Sequence, residues 1–479
     1  APAAKPQPMR RIAPTVAAAS AGTLGCSRRF PYETTSLRFI TPGGIRREAL
    51  VSPIAAYRNR DSQQACGELA IDLNERKRTC ASRHVSSIGC FCGGAAWTSG
   101  VSAQEPCDMA GELNRRVLQL IPSDLENDPK FLTFLAANVP KAELHIHIEG
   151  ALEPELALKL AARNNVTEVL SKYDSSVAKL RESYNFSDLQ SFLNVYYDTM
   201  QVLRTADDFF CLTRAYLEQA RIQHVRHVEL FFDGPFHVRR GVRLSSVIDG
   251  IRSALENAEA EWGLSWRLLM CLQRELPPEE ALHCVRQIGP YRPWIHGIGL
   301  DGAEKPNPPE RFADAFNLAR SMGLHCVAHA GEEGPPPYIY TALNVLHVER
   351  IDHGVRAVED PSLLEMLRVR LVPLTVCPLS NWRLRVVESL AQHPIKELMD
   401  AGLCVTLNSD DPAYFGGYIN ENFSAMIHEK HLNCTQVLGL LENSFVASFL
   451  EPNQRNLFLG EQCSAVESCV RTWQTDPNR

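Results

Sequence analysis

Short apolar strands alternate with helical stretches from Lys141 onward, and this alternation restricts the fold more than any other feature of the chain. The first strand lies within 140–150, and seven more are predicted at 224–233, 265–274, 294–301, 324–331, 350–355, 372–378 and 403–410. Helical periodicity marks intervening segments at 153–165, 207–222, 245–262, 307–322 and 359–370. Eight such units over about 300 residues predict an α/β fold, a (β/α)8 TIM barrel with insertions. A doubly wound open sheet is the alternative, because strand count alone does not establish closure.

The first predicted strand carries two histidines separated by one residue. Because side chains alternate along a strand, His145 and His147 share one face and apolar residues share the other. Gly150 permits a sharp turn, so the histidines lie near the C-terminal end of the strand, where barrel active sites are found. Taken alone, the pair is more typical of a half-exposed strand with two surface histidines, and further ligands must decide.

Further candidate ligands stand at the ends of three other strands. His329 ends the fifth and is followed by Glu332, His353 ends the sixth, and Asp410 and Asp411 end the eighth. In a barrel these ends converge at one mouth. Three imidazoles and one carboxylate suit a borderline cation such as zinc, with a coordination position left for water. Each residue alone could be a core histidine, a turn former or a helix start, but their coincidence at strand ends favours one site.

Five motifs around these residues resemble the adenosine/adenine deaminase family of metal-dependent amidohydrolases. They read PKAELHIHIEGALEPE, AHAGEEGPPPYI, ERIDHGV, PLTVCPLSN and NSDDPAYFGGYINENF, and the resemblance covers roughly 130–450. The resemblance implies a TIM barrel of amidohydrolase type and one zinc ion per chain. The implied zinc ligands are His145, His147, His329 and Asp410.

The resemblance also implies roles for the remaining residues. Glu332 corresponds to the proton donor, His353 to the histidine that orients the attacking water, and Asp411 to the purine-binding carboxylate. Gly302 and Glu149 are predicted as further substrate contacts. The loop that contains Gly302 departs from the family's usual GLDSSE, reading GLDGAE here.

The implied reaction is hydrolytic deamination of adenine to hypoxanthine and ammonia, which serves purine salvage. A divalent metal lowers the pKa of water towards about 7, and burial of Glu332 would raise its pKa so that it keeps a proton to donate. Glu149 stands where adenosine deaminases usually have Asp, and with the run from Tyr414 to Tyr418 it resembles the adenine deaminases. The extra methylene of Glu149 is expected to crowd a sugar while leaving a flat base free to bind.

Two alternative functions remain open from the sequence. The same machinery could deaminate adenosine or another N6-substituted adenine nucleoside or nucleotide. A catalytically inactive barrel scaffold is the other alternative, and the presence of every expected metal and acid–base residue counts against it.

The residues before the barrel differ in composition from the rest of the chain. Residues 1–108 are rich in Ala, Ser, Gly and Arg, and up to Arg60 the acidic residues are Glu33 and Glu48 alone. We therefore divide the chain into a low-order, basic N-terminal extension at 1–108, a deaminase barrel at 109–455 and a C-terminal tail at 456–479. The extension resembles an organellar transit peptide, and a disordered tail or a gene-model artefact are the alternatives.

The overall composition limits the kinds of partner that the protein is expected to bind. A net charge of −7 offers no electrostatic reason to expect nucleic acid, and no apolar run approaches the roughly eighteen residues of a membrane span. Six of the fifteen cysteines precede residue 110, and the rest sit singly among apolar residues, as reduced thiols do. These features favour a cytoplasmic protein that binds neither nucleic acid nor membrane, with organellar targeting as the alternative. The resemblance implies a small-molecule purine substrate, and the oligomeric state is left open.

Overall fold

The computed structural model of the protein describes residues 117–475. The predicted extension at 1–108 and the last four residues of the predicted tail lie outside the described residues. The predictions about targeting and about the boundary near 108 therefore stay predictions.

Eight parallel strands follow one another around the sheet in chain order. They are β1 Lys141–His147, β2 Val225–Phe232, β3 Ser265–Gln273, β4 Gly297–Asp301, β5 His325–Ala330, β6 Arg350–His353, β7 Leu374–Val376 and β8 Val405–Leu407. Each lies inside a strand predicted from the sequence. The chain just after β8 returns to β1 through a parallel bridge between Ile146 and Asp410. There the Asp410 amide donates to the His145 carbonyl and the His147 amide donates to the Asp410 carbonyl, both at 3.1 Å. The TIM-barrel prediction is confirmed, and the open-sheet alternative is wrong.

Helices connect the strands, and the five predicted helical segments all contain one. The helices are α1 Pro129–Asn138, α2 Pro154–Arg163, α3 Thr167–Lys172, α4 Val177–Glu182, α5 Leu189–Thr199, α6 Ala206–Ile222, α7 Gly234–Arg239, α8 Leu244–Trp262, α9 Pro278–Gln287, α10 Ala313–Ser321, α11 Pro336–Thr341, α12 Pro361–Val369, α13 Pro378–Arg383, α14 Ile395–Asp400, α15 Pro412–Phe415, α16 Ile419–Glu429, α17 Cys434–Val446 and α18 Pro452–Thr475. A single π-helical turn, Ala342–Leu346, follows α11, and short 3-10 turns occupy Glu149–Ala151, Met200–Val202, Gly289–Tyr291, Pro309–Phe312, Val355–Glu359 and Leu390–Gln392.

The connection between β1 and β2 contains five helices, α2 to α6, where a simple barrel unit needs one. Among them α5 begins at Asp188, whose carboxylate accepts a hydrogen bond from the Ser191 amide and so satisfies one of the free N–H groups of the first turn. Its buried residues recur at helical spacing and include Phe192 and Tyr196. This helix brings an aromatic face to the mouth of the barrel.

The barrel interior beneath the mouth is partly charged. Arg350 is fully buried and donates to Glu229 Oε2 at 2.5 Å and to the Leu144 carbonyl at 3.1 Å. Burial alone would raise the pKa of Glu229, but the charge of Arg350 overcomes it and lowers that pKa to about 2. A buried charge is tolerated only when it is paired, so these groups fix one another below the strand ends.

The C-terminal helix packs on the barrel. Most of the predicted tail at 456–479 lies within α18, and the ring of Trp473 meets that of Phe131 on α1 at 5.4 Å between centroids. The nine cysteines between 117 and 475 are all free thiols, in agreement with the sequence. Within the same residues, none of the helices combines the length and the apolar character required to cross a membrane.

Candidate active site

Four predicted ligands converge at the C-terminal ends of β1, β5 and β8. One ligand atom from each of His145, His147, His329 and Asp410 lies within 4.8 Å of all the others, and all four residues are buried. Asp410 Oδ1 is 3.1 Å from His145 Nε2 and 3.5 Å from His147 Nε2, and His147 Nε2 is 3.2 Å from His329 Nε2. Residues separated by up to 265 positions thus form one cluster, as the strand-end rule predicts.

The cluster fits a divalent metal ion. His145 Nε2 is buried, and its contact with Asp410 Oδ1 at 3.1 Å lacks the geometry of a hydrogen bond, so it has no hydrogen-bond partner among residues 117–475. Burial and the neighbouring histidines hold the pKa of His329 well below its ordinary value, so its imidazole is neutral and offers a lone pair. Three nitrogens and one carboxylate oxygen are a donor set that zinc accepts. An overlapping set replaces His147 and His329 with His353 and Cys377, but burial raises the pKa of the Cys377 thiol well above its ordinary value and disfavours the thiolate a metal needs.

A second layer of polar groups orients the histidines from behind. His145 Nδ1 lies 3.0 Å from Thr375 Oγ1, which donates to Asp352 Oδ1 at 2.7 Å. The other oxygen of Asp352 is 3.8 Å from His329 Nδ1. A carboxylate behind a ligating imidazole fixes its tautomer and raises its basicity, and Asp352 does this for His145 through Thr375. Asp352 lies beside His329 Nδ1 without a hydrogen bond to it.

Asp410 in the cluster and the neighbouring His353 adopt left-handed backbone conformations, which residues other than glycine rarely take. His353 has φ of +61° and Asp410 has φ of +64°. Left-handed non-glycine residues cost on the order of 1–3 kcal/mol and persist where the surrounding structure holds them. The two backbone hydrogen bonds between Asp410 and β1 supply that restraint at one of them.

Glu332 faces the cluster from the loop after β5. Its Oε2 is 3.7 Å from His353 Nε2, and within the described part of the chain its Oε1 lacks a hydrogen-bond partner. Burial, together with the charge of Asp410, raises the pKa of Glu332 well above its ordinary value, as the acid role requires. The loop is held by Glu304, whose buried carboxylate accepts from the amides of Gly331 at 2.9 Å and of Gly334.

His353 and Asp411 lie on either side of Asp410. His353 Nε2 is 3.7 Å from Asp410 Oδ2, and burial lowers the pKa of His353 to about 3, so its ring is neutral near pH 7. Asp411 is buried, and its Oδ1 is unpartnered within 117–475. A Cβ at Gly150 would lie 2.0 Å from Asp411 Oδ1, so glycine there is required for the two strand ends to approach.

A cavity opens above the cluster, with about 400 Å³ of empty space that includes the part open to solvent. Its apolar lining comes mainly from α5 and comprises Leu189, Phe192, Leu193, Tyr196, Tyr197 and Leu384. Its polar lining comprises His147, Asp233, Asp301, His329, Glu332, His353, Asp410 and Asp411. Gly302 also lines it, with φ of +81° and no room for a Cβ, which would lie 2.2 Å from Glu275 Oε2. The cavity therefore combines a flat apolar wall with carboxyl groups.

Glu149 does not reach this cavity, and the predicted crowding of a sugar by its longer side chain is corrected. β1 ends at His147, and Glu149 begins a 3-10 turn that directs it sideways into the wall. It is fully buried, and its Oε1 lies 2.7 Å from His237 Nε2 and accepts from the Asp233 amide at 3.1 Å. Tyr414 is buried, packs against the ring of Phe192 at 5.5 Å between centroids, and does not line the cavity formed by the described residues.

Several residues of the site were missed in the sequence. Asp301 Oδ2 lies 3.6 Å from His147 Nδ1, and Asp233 lines the cavity beside it. Both stand at the ends of predicted strands, so the rule that selected the histidines could have selected them. The aromatic residues of α5 had no such signal, because only the tertiary structure brings that helix over the mouth.

An α/β barrel with a buried cluster of three histidines and one aspartate at its C-terminal face, and a carboxylic acid beside it, defines a metal-dependent hydrolase. Residues 140–463 match the family model "Adenosine deaminase", and the chain belongs to that family. It is accordingly a hydrolase that acts on C–N bonds.

Individual relatives agree with this assignment. The chain is 52% identical over 316 residues to an adenine deaminase from Streptomyces coelicolor, covering 66% of this chain and 92% of that protein. The crystal structure of an adenine deaminase from Arthrobacter aurescens superposes with a TM-score of 0.65 at 43% identity, covering 71% of this chain and 100% of the other. An amidohydrolase from Burkholderia ambifaria with bound zinc gives a TM-score of 0.65 at 26% identity, covering 74% and 96% of the two chains.

Proposed function

We propose that this protein is a zinc-dependent enzyme that hydrolyses adenine to hypoxanthine and ammonia in purine salvage. The observation that carries the proposal is the buried cluster of His145, His147, His329 and Asp410, with Glu332 facing it across the cavity. The names of the relatives at about half identity support adenine as the substrate.

Zinc is the proposed metal, one ion per chain. The N3O donor set and the zinc-containing structural relative both support it. When bound, a zinc ion lowers the pKa of water towards about 7 and so makes a nucleophile available at neutral pH. His145, His147, His329 and Asp410 would hold it.

Glu332, His353 and Asp411 act on the water and the purine. Water adds to C6 of adenine, the neighbouring N1 gains a proton, and the exocyclic amine leaves as ammonia. Glu332 is buried with a raised pKa, so it keeps a proton to give to N1. The neutral His353 orients the water and takes up its proton through Nε2. That proton is then passed to the exocyclic amine, which leaves C6 as ammonia, while the proton of the C6 hydroxyl returns to Glu332. Burial, together with the charge of Asp410, raises the pKa of Asp411 well above its ordinary value, so its carboxyl group keeps a proton to donate to N7 on the imidazole edge of the purine.

The test of this proposal compares free base and nucleoside on one zinc-loaded preparation. We expect a kcat/KM for adenine at least about a hundredfold above that for adenosine, equivalent to nearly 3 kcal/mol in the transition state. Ammonia release from both substrates, with metal content determined on the same sample, measures it. Comparable efficiencies, or a preference for adenosine or an N6-substituted adenine compound, would overturn the choice of adenine. No ammonia release from any of them would favour the inactive scaffold.

A further inference from the structure

Asp233 is a buried carboxyl group on the cavity wall for which the reaction described so far has no use. It follows the end of β2 and is 2% exposed. Its amide is fixed by Glu149 Oε1, whereas its side-chain Oδ1 has no hydrogen-bond partner in the described residues. Since burying an unsatisfied acceptor costs free energy, a carboxyl oxygen on a cavity wall is expected to meet a donor on the ligand.

The order of strands around the barrel indicates which edge of the purine Asp233 meets. Glu332, at N1 in the proposed function, follows β5, and Asp411, at N7, follows β8 beside β1. Continuing round a purine from N1 to N7 on the side away from C6, the next nitrogens are N3 and then N9. Continuing round the barrel from β5 to β1 on the same side, the next cavity-lining residues are Asp301 at the end of β4, Gly302 just after it, and Asp233 after β2. The order of the purine nitrogens matches the order of the cavity-lining residues, which places N3 towards Gly302 and N9 towards Asp233.

We propose that Asp233 is the residue that selects the free base, by accepting a hydrogen bond from the N–H at N9 of adenine. This inference rests on the proposed function, which fixes the positions of N1 and N7. A nucleoside carries its sugar on N9 and has no hydrogen there, so it would leave Asp233 without a donor and bring a bulky group against it. A site built to bond a substrate N–H discriminates strongly against an analogue that lacks it.

The surroundings of Asp233 support this assignment. Burial, with the nearby Asp301 and Glu149 carboxyls, raises the pKa of Asp233 well above its ordinary value. A carboxyl group retains an acceptor oxygen in either protonation state, so the hydrogen bond does not depend on its charge. Tyr196 and Tyr197 line the same cavity and supply apolar surface for the faces of the ring.

The experiment compares adenine with 9-methyladenine, which has no hydrogen at N9 and only one small carbon in place of the sugar. Wild-type enzyme is expected to prefer adenine by at least about a hundredfold in kcat/KM. Asp233→Leu, of similar size but without an acceptor, should lower kcat/KM for adenine about a hundredfold and leave 9-methyladenine within about threefold of wild type. Asp233→Asn retains an acceptor oxygen and should keep most of the preference. The control is Asp198→Ala, at a half-exposed aspartate near the end of α5, which should change kcat/KM for neither substrate.

The ratio of the two efficiencies decides the proposal. Equal losses on both substrates in Asp233→Leu would show that Asp233 is structural and would overturn it. If that variant fails to fold, Asp233→Ala replaces it and the same ratio is measured. A wild-type enzyme that releases no ammonia from adenine would instead overturn the proposed function, while one that deaminates both substrates equally would overturn the role of Asp233 alone.

Discussion

The metal-ligand cluster and the cavity wall above it are built in different ways. The ligands stand on or directly beside barrel strands, and Asp352 and Thr375 hold them from neighbouring strands. The wall is made largely by α5, part of a five-helix connection that a barrel does not need for closure. The metal-ligand cluster therefore rests on the barrel strands, whereas much of the surface that a substrate would meet comes from α5. Changes to the cluster should lower activity on every substrate, and changes to side chains that line the cavity, such as Asp233, should alter preference.

The largest effect is expected from His329→Ala, which removes one ligand from the cluster. Metal content should fall to near zero and kcat/KM should drop at least about a thousandfold on adenine and on 9-methyladenine alike, because the nucleophile is lost. Metal analysis and ammonia release measure the two quantities.

A histidine on the same strand provides the control. His325 is at the other end of β5, away from the cluster, and its ring stacks on that of Phe449 at 3.9 Å between centroids. His325→Ala should therefore keep both metal and turnover. A purified His329→Ala protein that retained stoichiometric zinc would remove His329 from the ligand set.

A smaller effect is expected from Glu332→Gln, which retains size but removes the acidic proton. The metal should remain, and kcat should fall about a hundred- to ten-thousandfold, the usual contribution of general acid catalysis. Stopped assays of ammonia release, with metal analysis on the same sample, would measure it.

The neighbouring Glu333→Gln is the matched control, since the Glu333 side chain does not line the cavity formed by the described residues. Its turnover should stay close to wild type. If the kcat of Glu332→Gln fell only a few fold, the proton donor would be another residue of the site.

The smallest effect is expected from Glu149→Asp in the wall. The shorter side chain cannot reach both His237 Nε2 and the Asp233 amide, and a buried group left unpaired lowers the free energy of unfolding by about 1–3 kcal/mol. The preference for adenine over adenosine should stay within about threefold of wild type, because no space for a sugar opens.

Thermal unfolding and steady-state assays test both parts, with Glu149→Gln, which keeps length and an acceptor, as the control. A large gain of activity on adenosine in Glu149→Asp would restore the idea that Glu149 faces the sugar.

The same contrast explains how much could be predicted from the sequence. The eight strands and the ligands at their ends were predictable, because apolar runs locate buried strands and parallel strands bring their ends together. The direction of side chains beyond the end of a strand was not predictable. Because β1 stops at His147, the alternation of side chains between the two faces of a strand no longer applies at Glu149. The aromatic wall could not be predicted either, because nothing local shows that α5 lies across the mouth.

The return of the chain from Asp410 to β1 has a consequence for what can vary in this protein. Asp410 exchanges backbone hydrogen bonds with His145 and His147. These three residues are candidate ligands, and the same hydrogen bonds close the barrel between β8 and β1. A one-residue insertion or deletion on either side would shift which backbone groups meet and turn the side chains to the opposite face. The same few peptide units therefore close the barrel and position the candidate ligands. Neither the closure nor the ligand geometry can be changed there without the other.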